Sequence, residues 1–244
     1  MEKIVYALWK RDGESREALN QRLRDQAVPK LLELANVKGL RLNLQDETVL
    51  PAEPLRQKAT DPQMDAVVQM WVNLNHDEYR APIDAILGNA AGRIAAWLVA
   101  ESAVIPNNDH LPSAGQRTYG FSQFCFIQKP DWLTYDEWRY NWQGLHTAVG
   151  RDTQSNFEYI QNLIVRPLID GPVSYACCVE ECFPPEAMEN PAMFFDAVGD
   201  PEKFARNSAL MMESCARFID VNDKRGAIDV LLTSQFDVKP PSFR

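Results

Sequence analysis

The chain has no cluster of lysine and arginine, and its net charge is −9. Nucleic-acid binding needs a basic footprint, so that class is excluded. The same deficit disfavours an anionic membrane surface. No apolar run approaches the roughly 20 residues of a membrane span. The first apolar stretch, Ile4–Trp9, is too short and too interrupted for a signal peptide. Five cysteines, three of them within Cys177–Cys182, do not form a secreted disulfide framework. A reduced cytoplasmic setting is the expectation. There is no Gly-rich phosphate loop, no Gly-x-Ser-x-Gly elbow and no dinucleotide fingerprint. These absences favour chemistry that needs only acid–base groups, or binding without chemistry.

Metal ligands are poorly arranged as well. Cys177 and Cys178 point to opposite faces of a strand. Cys178 and Cys182 share a face but lie about 13 Å apart at roughly 3.3 Å per residue, too far for one zinc. His76 and His110 fall in loop-like sequence without neighbouring ligands. Neither a metal nor a cofactor is expected.

What is present is an ordered alternation of strand and helix patterns. Ile4–Lys10 reads as a strand, broken at Asp12-Gly13. Ser15 can cap a helix carrying Leu19, Leu23, Val28, Leu31 and Leu34, and Pro29 predicts a kink in it. Leu40–Leu44 alternates as a strand should, and Asp46–Gln63 is a polar loop. Asp65–Asn73 is a third strand, Pro82–Ala91 a helix and Arg93–Ile105 a fourth strand. Pro106–Gly115 has linker composition. The same order then restarts with a strand at Thr118–Ile127. Thr134 and Glu137 form a capping box that opens a helix. Strands follow at Phe157–Val165 and Ser174–Phe183, then a helix capped by Asp200 with Pro201 in its first turn. Ala227–Phe236 is the last strand, and a proline-rich tail is expected at the surface.

The two halves match at one constant offset. Ser15 falls on Thr134, Leu19 on Trp138, Leu23 on Trp142, Ala27 on His146 and Asn43 on Asn162. The expected fold class is α+β. It comprises two tandem ferredoxin-like βαββαβ units, 1–106 and 116–244, joined by linker 107–115. Each unit would leave one sheet face bare, so the two are expected to pack sheet to sheet as a pseudo-symmetric α+β barrel. Phe157, Tyr159 and Leu163 alternate with Ile160 and Ile164, which fits burial on both faces.

The helix Asp136–Val149, followed by a strand carrying Tyr159-Ile160-Gln161-Asn162, resembles the EthD-like family of the dimeric α+β barrel superfamily. The repeat carries the resemblance over nearly the whole chain, more weakly in the first half. It implies a small-molecule pocket, and a homodimer of fused barrels is left open. Trp138, Trp142, Leu145 and Val149 share a helical stripe, with His146 at its border. There His146 would face the sheet edge or barrel mouth and act as acid or base near neutral pH, as the family pattern implies; a structural histidine is the alternative. Tyr159 and Tyr119 are candidate hydroxyl donors, Trp138 and Trp142 candidate ligand walls, and Arg166 and Arg139 candidate anion partners. Gln123, Gln161, Asn162, Glu180, Asp229 and Thr233 lie inside strands and need partners, either across strands or in a wet cavity.

The leading expectation is a cofactor-free lyase, cyclase or isomerase acting on a hydrophobic, aromatic or polyketide-like molecule through His146 and Tyr159. Substrate contacts would come from Trp138, Trp142, Asn162, Gln161, Gln123, Tyr119 and Arg166. The alternatives are a non-catalytic small-molecule-binding protein of a catabolic pathway and, more remotely, a haem enzyme with His146 as axial ligand.

Overall fold

The computed structural model describes residues 1–222 and 227–241. Eight antiparallel strands close into one barrel in the order β1-β3-β2-β8-β5-β7-β6-β4. The first four are β1 (Glu2–Trp9), β2 (Val37–Leu44), β3 (Ala66–Val72) and β4 (Arg93–Ile105). The last four are β5 (Phe121–Ile127), β6 (Glu158–Ile169), β7 (Cys177–Phe183) and β8 (Ile228–Lys239). Within the first half the spatial order is β4-β1-β3-β2; within the second it is β8-β5-β7-β6, the same pattern.

The expected contact between two open sheets takes a different form. The halves join edge to edge, β2 to β8 and β4 to β6, by backbone hydrogen bonds. A free edge strand leaves unpaired N–H and C=O groups, and full closure removes every edge. Register shifts in β4 at Ala96/Trp97, Leu98/Val99 and Ala103/Ile105 bend the long strand as bulges do.

Alternation sorts each strand into an inner and an outer face. Val5, Ala7, Trp97, Phe124, Phe126 and Leu231 fill part of the interior. The rest of the interior is polar. Arg41 reaches Glu180 at 2.8 Å, Glu158 at 3.1 Å and Asp237 at 2.6 Å. Asn43, Gln69 and Gln235 donate to the Glu180 carboxylate. Opposite charge and these donors overcome burial and hold Glu180 well below the usual carboxylate range. Removing one partner of such a buried set costs about 3–5 kcal/mol, so the network locks the interior.

Helices cover the outer face. Ser15 caps α1 (Arg16–Arg22) by accepting from the Ala18 N–H at 3.2 Å. A π-helical segment, Leu23–Ala27, leads into α2 (Val28–Glu33). In the second half, Thr134 and Glu137 close their capping box over α4 (Tyr135–Arg139). A π segment, Tyr140–His146, then joins α5 (Thr147–Thr153). Both halves therefore widen the helix at matching positions. Only the first has a nearby proline, so Pro29 does not by itself explain the widening. The first-half cover also has α3 (Asp77–Ala90), which begins five residues earlier than the expected Pro82. His76 caps it, accepting from Glu78 N–H, and Pro82 is tolerated inside the helix. The second half adds α6 (Pro191–Phe194) and α7 (Pro201–Cys215), the latter capped by Asp200. The expected polar loop carries a 3-10 segment, Glu47–Leu55, termed the strap below. Pro241 is buried against Gly39 rather than lying on the surface, and Ser242–Arg244 of the tail fall outside the described residues. No described helix is long and apolar enough to cross a membrane.

Candidate functional site

A cavity of about 690 Å³ lies between the outer face of the second half-barrel and its helices. Strand pairing builds its floor. Tyr159 on β6 and Gln123 on β5 both lie directly opposite Glu181 on β7, giving one row across three strands. The next row includes Val179, Cys125 and Val230. Trp142 and His146 descend from the π segment, and Met211 and Cys215 line it from α7. Phe194 and Phe195 close one side. The strap, from the other half of the chain, closes another with Pro51, Pro54 and Leu55, followed by Arg56. The lining is mostly apolar with a few polar groups, the usual character of a small-molecule site.

Glu181 is the most unusual of those groups. Its Oε1 accepts from Asn156 Nδ2 at 2.8 Å. The Gln154 amide, with its nitrogen turned toward the carboxylate, donates at 3.2 Å. These donors do not outweigh desolvation, which raises the carboxyl to about 7. Near neutral pH, Glu181 is therefore poised to take or give a proton.

His146 behaves differently from the expectation. Burial lowers its imidazole to about 4, so it stays neutral near pH 7 rather than titrating there. Its Nδ1 lies 3.0 Å from Ser214 Oγ, and its ring packs 4.7 Å from Phe218. Nε2 has no hydrogen bond among the described residues. When Ser214 donates to Nδ1, Nε2 carries the ring proton. The side chain lines the cavity under α7, not the mouth of the barrel.

Tyr159 is buried on the floor, and desolvation raises its phenol far above the ordinary value. It therefore remains a protonated donor. Its oxygen accepts from Gln161 Nε2 at 2.9 Å, and the same amide also donates to Thr147 Oγ1 at 2.9 Å. Gln161 thus supports Tyr159 without lining the cavity. Gln123 does line it, and its Oε1 is buried without a partner among the described residues.

The remaining candidates lie elsewhere. Trp138 is fully buried beside Trp142, with ring centroids 5.1 Å apart, and acts as a wall behind the wall. Asn162 faces the barrel interior because it shares strand parity with Glu158, not with Tyr159. Glu180 and Thr233 face inward too and belong to the Arg41 network. Asp229 faces inward and grips the loop after the strap, accepting from Thr60 Oγ1 at 3.1 Å, Gln63 Nε2 at 2.9 Å and Tyr175 Oη at 2.7 Å. Tyr119 is 44% exposed and stacks on His110 at 4.4 Å. Arg166 is exposed and donates to Asn75 Oδ1 at 3.0 Å. Arg139 is exposed and donates to Gln143 Oε1 at 3.0 Å.

Sequence reasoning missed Glu181 and Arg56. Glu181 shares a strand face with Cys177 and Val179, but alternation alone does not say that this face lies under the helices. Nothing local marks Arg56.

No protein-family model matches the chain, and no curated protein matches it by sequence. The fold nevertheless has a solved counterpart, another α+β barrel. An anthrone oxidase-like protein superposes with a TM-score of 0.57 at 7% identity, covering 98% of this chain and 94% of that one. A protein described as a chlorite dismutase gives 0.49 at 12% identity, covering 98% and 97%. A protein from Lactobacillus acidophilus described as a monooxygenase gives 0.47 at 7% identity, covering 97% and 96%. At 7% identity the likeness to the anthrone oxidase-like protein speaks for the fold alone.

Proposed function

We propose that the second half-barrel, 116–244, is the working unit of a fused EthD-like pair. In this reading its cavity binds a flat, largely apolar ketone, and Glu181 removes a proton from the carbon beside the carbonyl. The observation that carries the reading is a carboxyl in one row with Tyr159 and Gln123 facing a mostly apolar cavity, where desolvation raises it to about 7. The C–H proton moves to the Glu181 carboxylate, and the bonding pair becomes an enolate. Tyr159 Oη–H and the neutral His146 are the donors available to the enolate oxygen. An isomerisation, cyclisation or elimination would each start from that enolate. The tandem origin draws support from the shared strand order and from π segments placed at one offset in both halves.

The name of the anthrone oxidase-like neighbour suggests a probe, because anthrone is a flat ketone with acidic methylene hydrogens. Exchange of those hydrogens in deuterated water, followed by NMR, reads proton abstraction directly. The rate should rise with pH and level off above about 7 as Glu181 ionises. Glu181→Gln should slow it at least about 100-fold. Equal exchange by the variant and the unaltered protein would remove Glu181 from the mechanism.

A second reading rests on His146. In the other tautomer, with Nδ1–H donating to Ser214 Oγ, the Nε2 lone pair of His146 would be free to hold a haem iron in a mostly apolar cavity. Haem titration separates the two: a Soret band that disappears in His146→Ala supports this reading, and its absence in the unaltered protein ends it.

A further inference from the structure

We propose that Arg56 holds an anionic group of the ligand, so that the cavity takes an amphiphilic acid: an apolar ring system ending in a carboxylate. This rests on the reading of the cavity as the binding site. Among the described lysines and arginines, Arg56 alone lines the cavity. It comes from the first half of the chain, immediately after the strap. Its side chain is only 6% exposed.

The guanidinium is held in a fixed pose. Nε donates to Glu53 Oε1 at 2.7 Å, and Nη1 donates to Gln63 Oε1 at 2.9 Å. Gln63 is fixed in turn by donating to Gln57 O at 2.6 Å and to Asp229 Oδ1 at 2.9 Å. The Val230 N–H bonds to Gln57 O at 2.9 Å, which ties the segment to β8. A guanidinium has five N–H donors. Nη2 has no partner among the described residues, so a sheltered cation is left with donors to spare. Such a group favours a planar oxyanion, and carboxylate geometry fits the fork. The apolar body of the cavity selects for the rest of the molecule.

The other side of Arg56 lines a polar groove of about 930 Å³ that bears Lys10, Arg24 and Arg117 along with Asp46 and Glu47. Arg56 therefore lines both an apolar chamber and a polar one, and its guanidinium partner Glu53 lies on the polar side. A carboxylate held there would sit at the boundary, with its ring system inward.

The test uses 2-naphthoate and its neutral isostere 2-naphthamide, with affinity read by calorimetry on the full chain. The expected result is about tenfold tighter binding of the acid at pH 8, a difference worth one charge-assisted contact. Arg56→Gln should remove that preference by weakening the acid more than the amide. Glu53→Gln, an exposed change that removes the competing negative charge, should increase the preference. Equal binding of acid and amide by the unaltered protein overturns the assignment of Arg56 but leaves the cavity reading standing. Binding of neither probe overturns both. Equal losses for both probes in Arg56→Gln show a structural role and also overturn the proposal.

Discussion

In the first half-barrel, Leu19, Leu23, Ala27 and Leu31 meet Ile83 and Leu87 of α3 in a closed aliphatic layer. A notch of about 70 Å³ lies there beside Ala27, Ile86 and Ala90, and the polar groove runs outside this layer along Arg16, Glu17 and Arg24. In the second half-barrel, Trp138, Trp142 and His146 stand at the matching helix positions, and the space beneath α7 is a cavity about ten times larger. Strand order and helix irregularity are shared, so the fold alone does not make the cavity. Its filling does. The longer connection between β7 and β8 places α6 and α7 around the floor, whereas the shorter one between β3 and β4 brings α3 down onto it. One half is a packed support, and the other has given up packing for an interior surface.

The largest effect should come from hollowing out the packed half. Leu23→Ala removes a fully covered side chain, and such changes cost about 2–5 kcal/mol because the gap relaxes only partly. Urea unfolding measures it. A cost below about 1 kcal/mol would mean that the first half tolerates voids as the second does, and the contrast between them would collapse.

The second prediction concerns the charges that line the open half. The folded-state carboxyl of Glu181 lies at about 7, above its ordinary 4.5, so between those values the native state binds the extra proton. Its contribution to stability therefore falls as pH rises through that window. His146 lies at about 4, below its ordinary 6.5, so there the unfolded state binds the extra proton. Its contribution rises with pH between about 4 and 6.5. Each slope is worth about 2–3 kcal/mol after allowing for solvent in the cavity. They oppose one another, so the unaltered protein should show a nearly flat profile from pH 5 to 6.5. Glu181→Gln should expose the rising slope and His146→Gln the falling one, both readable from urea midpoints. Parallel profiles in the two variants would show that the groups are not desolvated as the geometry requires.

The contrast between halves was partly legible in the sequence. Alternation located all eight strands because each has apolar residues on both faces, and the capping signals at Ser15, Thr134 and Asp200 are local chemistry. The tryptophans and His146 stood out against Leu19, Leu23 and Ala27 for the same reason. What could not be read was parity between adjacent strand residues. Glu180 and Glu181 differ by one position, yet one is locked to Arg41 inside the barrel and the other faces the cavity. Asn162 and its neighbour Gln161 were both candidate substrate contacts, and they fall on opposite faces, because an apolar–polar pattern cannot decide a strand that is buried on both sides. Arg56 was out of reach for another reason. Its place in the site depends on the strap docking against β8, a contact between distant parts of the chain.

The smallest effect is expected where a charge near the second half does not serve its cavity. Arg166 lies on β6, seven residues beyond Tyr159, and its sequence position suggested a substrate contact. Its side chain instead runs outward to Asn75 across the seam between halves. An exposed hydrogen bond of this kind contributes roughly 0.5 kcal/mol or less. Arg166→Ala should therefore shift neither the urea midpoint by more than that amount nor the affinity for naphthoate. If it weakened naphthoate binding as much as Arg56→Gln, anion recognition would have to be shared with the outer seam. The division between a packed support and a single working cavity would then need redrawing.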